Sequence, residues 1–304
     1  MAIKKITVLY GGLSSERQVS LESGKYIFKS IKNLGYKAEL IDYPKNFLLD
    51  SFTEEDFIFI ALHGKDGESG ELQKLLYKKG IPYTGSNYQA CENTWNKNTC
   101  KELLKENKIP TPKWITVSSL SEMQNGLDDI LFDPLRPFDE LFLKPAEDGS
   151  SIDVFKISDD SDLDKAIANC VDSKRPFIFE ESIDYQELTV PILNGRCLPA
   201  VEIRTPESFY NFNAKYVNED TQLTKLKLST EKQSSLKEIC LKTLNVSGCE
   251  GWARVDLLAD RNSNFYVLEI NTVPGMTSHS LFPKSAESVG LSYDDLVQEI
   301  INGY

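Results

Sequence analysis

The residues with the clearest chemical potential lie in two short apolar segments separated by a polar turn at residues 260–264. Both segments alternate apolar and polar side chains, so we predict two strands joined as a hairpin. If the hairpin is symmetric, Asp256 faces Glu269 and Arg254 faces Asn271, with all four side chains on one face of the sheet. The opposite face is then filled by Val255, Leu257, Leu268 and Ile270.

Two carboxylates that face each other repel, so a positive charge must lie between them. Carboxylate and amide oxygens are hard ligands that suit Mg²⁺, with water and phosphate completing its coordination. The sequence therefore predicts a magnesium site at Asp256, Glu269 and Asn271. The alternative is a solvent face on which Arg254 alone neutralises the acids. The small-residue loop at 272–280 favours the metal site, because such a loop lets a ligand approach closely.

A second group of residues suits a phosphate-bearing ligand. Lys144 ends an apolar strand and precedes a loop at 145–151, whose Gly and Ser residues could turn backbone N–H groups toward phosphate. Neither G-x-x-x-x-G-K-[ST] nor G-x-G-x-x-G occurs, so neither a P-loop nor a Rossmann fingerprint is indicated. A single lysine is weak support by itself, and the same holds for Lys97 and Lys215.

Two further candidates follow predicted strands of the first third of the chain. His63 comes directly after the apolar run 57–62, and Glu16 lies in the turn after the first strand. Ligands of open α/β sheets bind at the carboxyl ends of the strands, which favours a functional reading of both residues. A structural histidine and a helix-start carboxylate are the simpler alternatives, and the residues alone leave both readings open.

These candidates must be positioned by more than one core, because 304 residues exceed a single small module. Residues 1–94 alternate buried strands with helices and predict a parallel βαβ lobe. Residues 95–184 predict a compact α+β lobe, and residues 185–304 predict a third lobe that ends in the hairpin described above. Asn194-Gly195 marks another hairpin in that lobe. The predicted fold class is therefore α/β with three lobes.

Composition excludes several classes of protein. A formal net charge of −12 repels nucleic acid and anionic lipid. No apolar run approaches the ~20 residues of a membrane helix, and no secretory signal core is found, so we expect a cytoplasmic protein without membrane or nucleic-acid partners. The 6 cysteines are scattered and only 2 histidines occur, which argues against a disulfide framework and a multi-histidine metal site.

Taken together, these segments resemble the D-alanine:D-alanine ligases of the ATP-grasp superfamily. The resemblance extends from Tyr10 to the C-terminal helix and consists of short motifs in the family's order. The motifs are GGLSSER (11–17), LHGKDGE (62–68), YTGS (83–86), KP (144–145) with GSS (149–151), AKY (214–216) and NTVPGMTSHS (271–280). It implies a three-lobed ATP-grasp fold, with ATP between the second and third lobes, and a homodimer.

The resemblance also implies roles for the residues that match. Asp256, Glu269 and Asn271 correspond to the ligands of two Mg²⁺ (or Mn²⁺) ions, in agreement with the hairpin argument. The lysines that contact ATP phosphates in the family correspond to Lys97, Lys144 and Lys215. The family's acidic residues at the hinge and the ribose correspond to Glu180, Glu181 and Glu187.

The substrate side of the site is implied in the same way. Glu16, linked through Ser150 to Tyr216, resembles the group that receives the ammonium of the first D-alanine. Arg254 with the Gly275 amide resembles the oxyanion site. Ser280 matches the contact to the second D-alanine carboxylate, and His63 lies in the first-substrate pocket.

The implied reaction forms an acyl phosphate from D-alanine and ATP, which a second D-alanine then converts to the dipeptide for peptidoglycan synthesis. Tyr216 favours the dipeptide, because ligases that use D-lactate tend to have Phe at this position. An ATP-grasp ligase with another second substrate and a non-catalytic nucleotide-binding regulator remain alternatives. Departures at Asn96, Ser182 and residues 223–228 predict weaker substrate binding or slower turnover.

Overall fold

The computed structural model describes residues 5–123, 126–130, 140–183, 186–207, 209–210 and 220–304, and the strands in these ranges form three separate sheets. The strands are β1 (Lys5–Gly11), β2 (Ala38–Tyr43), β3 (Asp56–Ile60), β4 (Trp114–Val117), β5 (Leu141–Pro145), β6 (Phe155–Ile157), β7 (Phe177–Glu181), β8 (Gln186–Leu193), β9 (Arg196–Cys197), β10 (Val201–Arg204), β11 (Gln222–Lys225), β12 (Trp252–Ala259) and β13 (Phe265–Asn271). The helices are α1 (Arg17–Asn33), α2 (Lys65–Glu68), α3 (Glu71–Lys79), α4 (Tyr88–Trp95), α5 (Lys97–Glu106), α6 (Asp160–Asn169), α7 (Thr230–Ser247), α8 (Leu281–Glu287) and α9 (Tyr293–Asn302).

The first sheet is parallel, with β1 between β2 and β3. Helix α1 connects β1 to β2 and buries Ile27 and Ile31 in the same core as the sheet. Strand β3 is buried along its whole length, as expected where both faces of a sheet are covered. The predicted parallel βαβ lobe is confirmed. The chain leaves the carboxyl ends of β1 and β3 toward Glu16 and His63, respectively.

The second sheet is antiparallel, in the order β4-β7-β5-β6. Its core is apolar and includes Leu143, Phe179 and, from helix α6, Leu163. Strand β7 lies between two neighbours, so that Glu180 pairs with Trp114 of β4 and with Phe142 of β5. This register places an acidic residue in the interior of a sheet, where it requires oppositely charged partners.

The third sheet is also antiparallel, in the order β11-β10-β8-β12-β13, with β9 paired to β8. The predicted turn at Asn194-Gly195 joins β8 to β9, and both residues have positive φ. Helix α7 covers one face, where Cys240 and Leu244 share a core with Val255 of β12. The opposite face of the sheet is left for the polar residues of the final hairpin.

The pairing of that hairpin confirms most of the predicted register and corrects one part of it. Asp256 pairs with Glu269 and Arg254 pairs with Asn271, as predicted. Beyond that point the register shifts, because Leu257 pairs with Val267 and leaves Leu268 as an extra residue. The prediction that Leu268 fills the core face is therefore wrong. The bulge turns its side chain into the same cleft that Glu269 lines.

The core of the first sheet also contains residues from the other end of the chain. Leu296, Val297 and Ile300 of α9 are fully buried in it, and Trp252 and Phe282 pack in the same cluster. The C-terminal helices thus lie against the N-terminal sheet, and α9 contacts α1. The domain boundaries at residues 94 and 184 stay a prediction, because the core of the first sheet combines residues from both ends of the sequence.

Two expectations from composition can be compared with the structure. No helix in the described ranges is long and apolar enough to cross a membrane. All six cysteines are free thiols, so no disulfide framework is formed. Burial raises the pKa of Cys100 to about 12 and that of Cys197 to about 11, which leaves both thiols protonated at neutral pH.

Candidate active site

A deep cleft separates the second sheet from the third and encloses about 830 Å³ when its open mouth is included. One wall carries cations and the loop after β5, and the other carries the polar face of the β12–β13 hairpin. The cleft brings together many of the residues singled out in the sequence, namely Lys97, Lys144, Ser150, Glu180, Glu187, Arg254, Asp256 and Glu269. It also has an apolar lining that sequence reasoning missed, made of Phe142, Ile152, Val154, Ile203, Phe209, Leu258 and Leu268.

The first wall is organised around the buried carboxylate of Glu180. One oxygen accepts from Lys144, and the other forms an ion pair of 2.7 Å with Lys101. Burial alone would raise the pKa of Glu180, but the two lysines outweigh this effect and lower it. The group is therefore an ionised acceptor at neutral pH. Lys101 was not predicted, since nothing in its spacing shows that its side chain is buried.

Lys97 lies one helical turn before Lys101 and fixes the Gly/Ser loop. Its ammonium donates to the carbonyl of Asp148 at 2.7 Å, and its backbone N–H donates to Ala146 at 2.7 Å. Burial lowers the pKa of Lys97 from its usual range. The loop is further held by Arg175, which bridges Asp148 and Asp153 at 2.8 and 2.6 Å.

The loop itself has an unusual backbone. Ser150, Ser151 and Asp153 all have positive φ, a conformation that non-glycine residues seldom adopt. Backbone strain of this kind persists only where surrounding contacts hold it, and here Arg175 and Lys97 supply them. Gly149, Ser150 and Ser151 line the cleft, and binding of phosphate by this loop stays a prediction.

The second wall is organised around Arg254 and Asp256. Two guanidinium nitrogens of Arg254 donate to the two oxygens of Asp256, each at 2.8 Å, and Thr189 donates to Asp256 at 2.6 Å. Burial would lower the pKa of Arg254, but Asp256 raises it above its usual value. Arg254 thus provides a positive charge beside Asp256, but the pair lies buried in the cleft and not on the solvent face of the alternative interpretation. Glu269 lines the cleft beside this pair.

The donor set on this face also fits a divalent cation. Carboxylate oxygens of Asp256 and Glu269 and the amide of Asn271 occupy neighbouring register positions. Oδ1 of Asp256 already accepts from Thr189 and Arg254, whereas Oδ2 accepts from Arg254 and is the Asp256 oxygen with a lone pair for a cation. Within the described ranges, no cluster of three His, Cys, Asp or Glu side chains could hold a metal. The third protein ligand would therefore be an amide oxygen, with phosphate or water completing the shell.

Two of the predicted substrate residues, Glu16 and Ser150, lie near each other beside the cleft. Glu16 is buried at the start of α1. Two glycines leave room for its carboxylate, because a Cβ on Gly149 would lie 2.8 Å, and one on Gly64 3.2 Å, from Oε2. Gly149 immediately precedes Ser150, so the Gly/Ser loop and Glu16 are adjacent.

His63 is buried and has protein partners at both ring nitrogens. Nδ1 donates to the carbonyl of Val273 at 2.9 Å, which requires the proton to be on Nδ1 in the neutral ring. Ser23 then donates to Nε2 at 3.2 Å and accepts the N–H of Met276 at 3.0 Å. Burial lowers the pKa of His63 and favours the neutral form. These bonds support a role in positioning the 272–280 loop, and substrate contact stays a prediction.

The 272–280 loop folds back on itself through Ser280. The Ser280 hydroxyl accepts the N–H of Thr277 at 2.9 Å, and the residue is the N-cap of α8. Gly275 lies against this hydroxyl, because a Cβ there would be 2.9 Å from it. The side-chain oxygen of Asn271 accepts a hydrogen bond from the N–H of Val273 at 3.1 Å. This bond connects the loop to the hairpin face that carries the candidate metal ligands.

Glu181 is not among the described residues that line the cleft. The carboxylate of Glu181 accepts the N–H of Lys113 at 3.1 Å, on the strand edge away from the cleft lining. Lys215 and Tyr216 lie outside the described residues, so their roles stay predictions. Asn96, noted as a departure, has a local explanation, since its side chain caps α5 by accepting the N–H of Thr99 at 3.1 Å.

Two sheets that face each other across a cleft, one with lysines and the other with carboxylates, define an ATP-grasp protein. The comparisons with known proteins narrow this class. The family described as D-ala D-ala ligase C-terminus matches residues 103–302. The chain is 38% identical over 300 residues to a D-alanine--D-alanine ligase of Haemophilus ducreyi, covering 98% of this chain and 97% of the relative. The chain belongs to the D-alanine–D-alanine ligase family.

Solved structures agree with this assignment. The D-alanine--D-alanine ligase of Bacillus anthracis complexed with ATP superposes with a TM-score of 0.84 at 31% identity, covering 99% of this chain and 97% of that one. The VanG D-Ala:D-Ser ligase of Enterococcus faecalis superposes with a TM-score of 0.83 at 25% identity and covers 98% of both chains. The fold is thus shared by relatives that differ in their second substrate.

Proposed function

We propose that this protein joins two D-alanine molecules to D-alanyl-D-alanine, with ATP converted to ADP and phosphate, for peptidoglycan precursor synthesis. The observation that carries the proposal is the pairing of Asp256 with Glu269 on one wall of a cleft whose other wall holds Lys97 and Lys144. Such a cleft can hold a magnesium-bound triphosphate between opposite charges. Family membership over nearly the whole chain agrees with it.

The first step transfers the γ-phosphoryl group. A carboxylate oxygen of the first D-alanine attacks the γ-phosphorus, and the bond from this phosphorus to the β-phosphate oxygen breaks. The products of the step are ADP and the acyl phosphate of D-alanine. Bound Mg²⁺ (or Mn²⁺) neutralises phosphate charge, and Asp256, Glu269 and Asn271 would hold it. Lys97, Lys144 and Lys215 supply positive charge, while Glu187 and the apolar lining of the cleft hold the nucleoside.

The second step forms the peptide bond. The amine of the second D-alanine attacks the acyl carbon, the carbonyl oxygen takes negative charge, and phosphate leaves as the tetrahedral intermediate collapses. Arg254 and the Gly275 amide face this developing charge in the proposal, and Ser280 binds the second carboxylate. Glu16 holds the ammonium of the first D-alanine, and Ser150 links Glu16 to Tyr216 by hydrogen bonds. The ammonium of the second D-alanine loses one proton to become the attacking amine, and the nitrogen loses a second proton as the intermediate collapses. The leaving phosphate takes up one of these protons and solvent takes the other.

The proposal extends to the setting of the enzyme. We infer three lobes with boundaries at residues 94 and 184, a homodimer, and a place in the cytoplasm, where ATP and peptidoglycan precursors are available. The absence of a membrane-crossing helix in the described ranges is compatible with this setting. Size-exclusion chromatography with light scattering tests the dimer, and a monomer at micromolar concentration would contradict it.

Phosphate release with ATP and Mg²⁺ tests the activity directly. The purified protein is given D-alanine alone, D-alanine with D-serine, and D-alanine with D-lactate, and the products are identified by mass spectrometry. Release with D-alanine alone, with the dipeptide as product, is the expected result. The likeness to a D-Ala:D-Ser ligase makes a mixed product the second candidate. ATP binding without phosphate release under any condition would indicate a regulator.

A further inference from the structure

Lys101 is a buried lysine with three hydrogen-bond acceptors around its ammonium. It forms the 2.7 Å ion pair with Glu180 and donates to the Thr111 hydroxyl at 2.8 Å and the Pro112 carbonyl at 3.1 Å. Only 1% of its side chain is exposed. An ammonium has three N–H donors, so all of them are used inside the protein. Lys101 therefore has no donor left for a ligand.

Glu180 transmits the position of this ammonium to the cleft. The described residues that line the cleft include Glu180 and Lys144 but not Lys101. Glu180 uses one oxygen for Lys101 and the other for Lys144, so its carboxylate plane is fixed from both sides. The position of the charge that faces the nucleotide thus depends on a lysine behind it.

The charges of the three groups sum to a net positive unit. Without Lys101, Lys144 and Glu180 would form a neutral pair, and Lys144 would be held by its partner instead of by an incoming phosphate. One oxygen of a carboxylate that is 1% exposed would also lose its charged partner, which is a costly change in a buried site. Both effects lower the affinity of this side of the cleft for a polyanionic ligand.

We propose that Lys101 is a positioning residue for nucleotide binding, which holds Glu180 in the orientation and charge state that leave Lys144 available to ATP. The inference rests on the proposed function only in taking ATP as the ligand of the cleft. It assigns no substrate contact to Lys101. Its prediction is specific to the nucleotide, because the D-alanine side of the site is built by Glu16 and the 272–280 loop.

A lysine of the same helix provides a matched control. Lys105 lies one turn further along α5, its ammonium is 5.5 Å from the centre of the Trp114 ring, and that of Lys101 is 5.4 Å from it. The side chain of Lys105 is 67% exposed, and its ion pair with Glu102 is 3.8 Å long. Lys101→Met removes the buried charge, while Lys105→Met removes an exposed one from the same helix face. Lys101→Arg keeps the charge and serves as a second variant if Lys101→Met does not fold.

The experiment measures the dissociation constant of ATP with Mg²⁺ by calorimetry, and the KM values for ATP and D-alanine by phosphate release. For Lys101→Met we expect ATP affinity to fall by about 10- to 100-fold, the range for losing a hydrogen bond between charged groups. The KM for D-alanine should change by less than about threefold on the same scale. Lys101→Arg should lose less affinity than Lys101→Met, and Lys105→Met should behave as the wild type.

A double-mutant cycle separates positioning through Glu180 from a general structural effect. In the Glu180→Gln background, Lys101→Met should cause no further loss of ATP affinity. Equal losses in both backgrounds, or an unchanged ATP affinity of Lys101→Met, would overturn the inference. Because ATP binding is measured without turnover, the two proposals can fail separately: a wild type that binds ATP but makes no dipeptide contradicts only the ligase activity.

Discussion

Two buried carboxylates face the same cleft, and they are neutralised in different ways. Glu180 is held between two lysines, one of which lies entirely behind the cleft wall. Asp256 is held by Arg254, which lines the cleft itself. The partners of Glu180 can stay in place when a ligand enters. By contrast, both members of the Arg254–Asp256 pair have proposed ligands of their own, an oxyanion for the arginine and a metal for the acid.

The difference distinguishes a permanent charge site from an exchangeable one. Around Glu180 the protein supplies every counter-charge, so the wall is preorganised before nucleotide binds. On the hairpin, Arg254 and Asp256 neutralise each other, and in the proposed function phosphate and magnesium would be their new partners. We therefore expect substitutions on the hairpin to abolish chemistry, and substitutions near Glu180 to weaken nucleotide binding.

The largest effect is expected for Arg254→Ala and Glu269→Ala. Arg254→Ala removes a donor to the developing negative charge, and the loss of one such donor costs about 10²- to 10³-fold in kcat. Glu269→Ala removes a proposed ligand of Mg²⁺, and we expect it to abolish turnover as well. Phosphate release in the presence of D-alanine measures the effect. Arg261→Ala, in the exposed turn of the same hairpin, is the control. Near-normal release by the first two variants, with circular dichroism unchanged, would contradict the assignment of the hairpin.

An intermediate effect concerns Lys97 and alkaline pH. Because burial lowers the pKa of Lys97, its charge is lost at a lower pH than that of a surface lysine, whose pKa is about 10.4. The charged form binds phosphate, so ATP affinity should fall as pH rises toward this range. Lys97→Met should bind ATP weakly at neutral pH and show a flatter pH profile. A wild-type affinity that stays constant up to about pH 10 would argue against Lys97 as a phosphate contact.

The smallest effect concerns His63, a buried ionisable group that is neutral in the fold. Burial lowers its pKa, so the unfolded chain binds more protons than the native protein once pH falls below about 6.5. The stability that depends on neutral His63 is therefore present above this pH and is lost as pH falls through it. Urea unfolding at about pH 7.5 and 5.5 should show a loss for the wild type that exceeds the loss for His63→Asn by about 1 kcal/mol.

The other histidine provides the control for this measurement. His279 is exposed, so His279→Gln should retain the pH dependence of the wild type. If His63→Asn and the wild type lose equal stability between the two pH values, protonation of His63 is not coupled to folding.

The sequence was sufficient for the parts of the site that depend on local periodicity. Alternation and the polar turn gave the pairing of Asp256 with Glu269 and of Arg254 with Asn271. The bulge at Leu268 could not be read from them, because an extra residue changes the register without changing the composition of either strand. Leu268 therefore faces the cleft and not the core.

The sequence also could not predict burial that depends on residues far apart in the chain. Lys101 looks like an ordinary surface lysine, since its acceptors come from a strand far along the chain and from the segment that follows its helix. The bonds of His63 to Val273 and Ser23 were invisible for the same reason. The motifs supplied the candidate residues, and three-dimensional contacts decided which of them line the cleft.

The packing of α9 against the first sheet has a consequence for how the protein folds during synthesis. Val297 and Ile300 are translated long after β1, β2 and β3, yet they complete the core that these strands form. The first sheet therefore has an uncovered apolar surface until α9 has been translated, a situation in which chaperones bind nascent chains. Ribosome-bound chains that lack α9 should be digested rapidly by protease in this sheet, whereas the released full chain should resist.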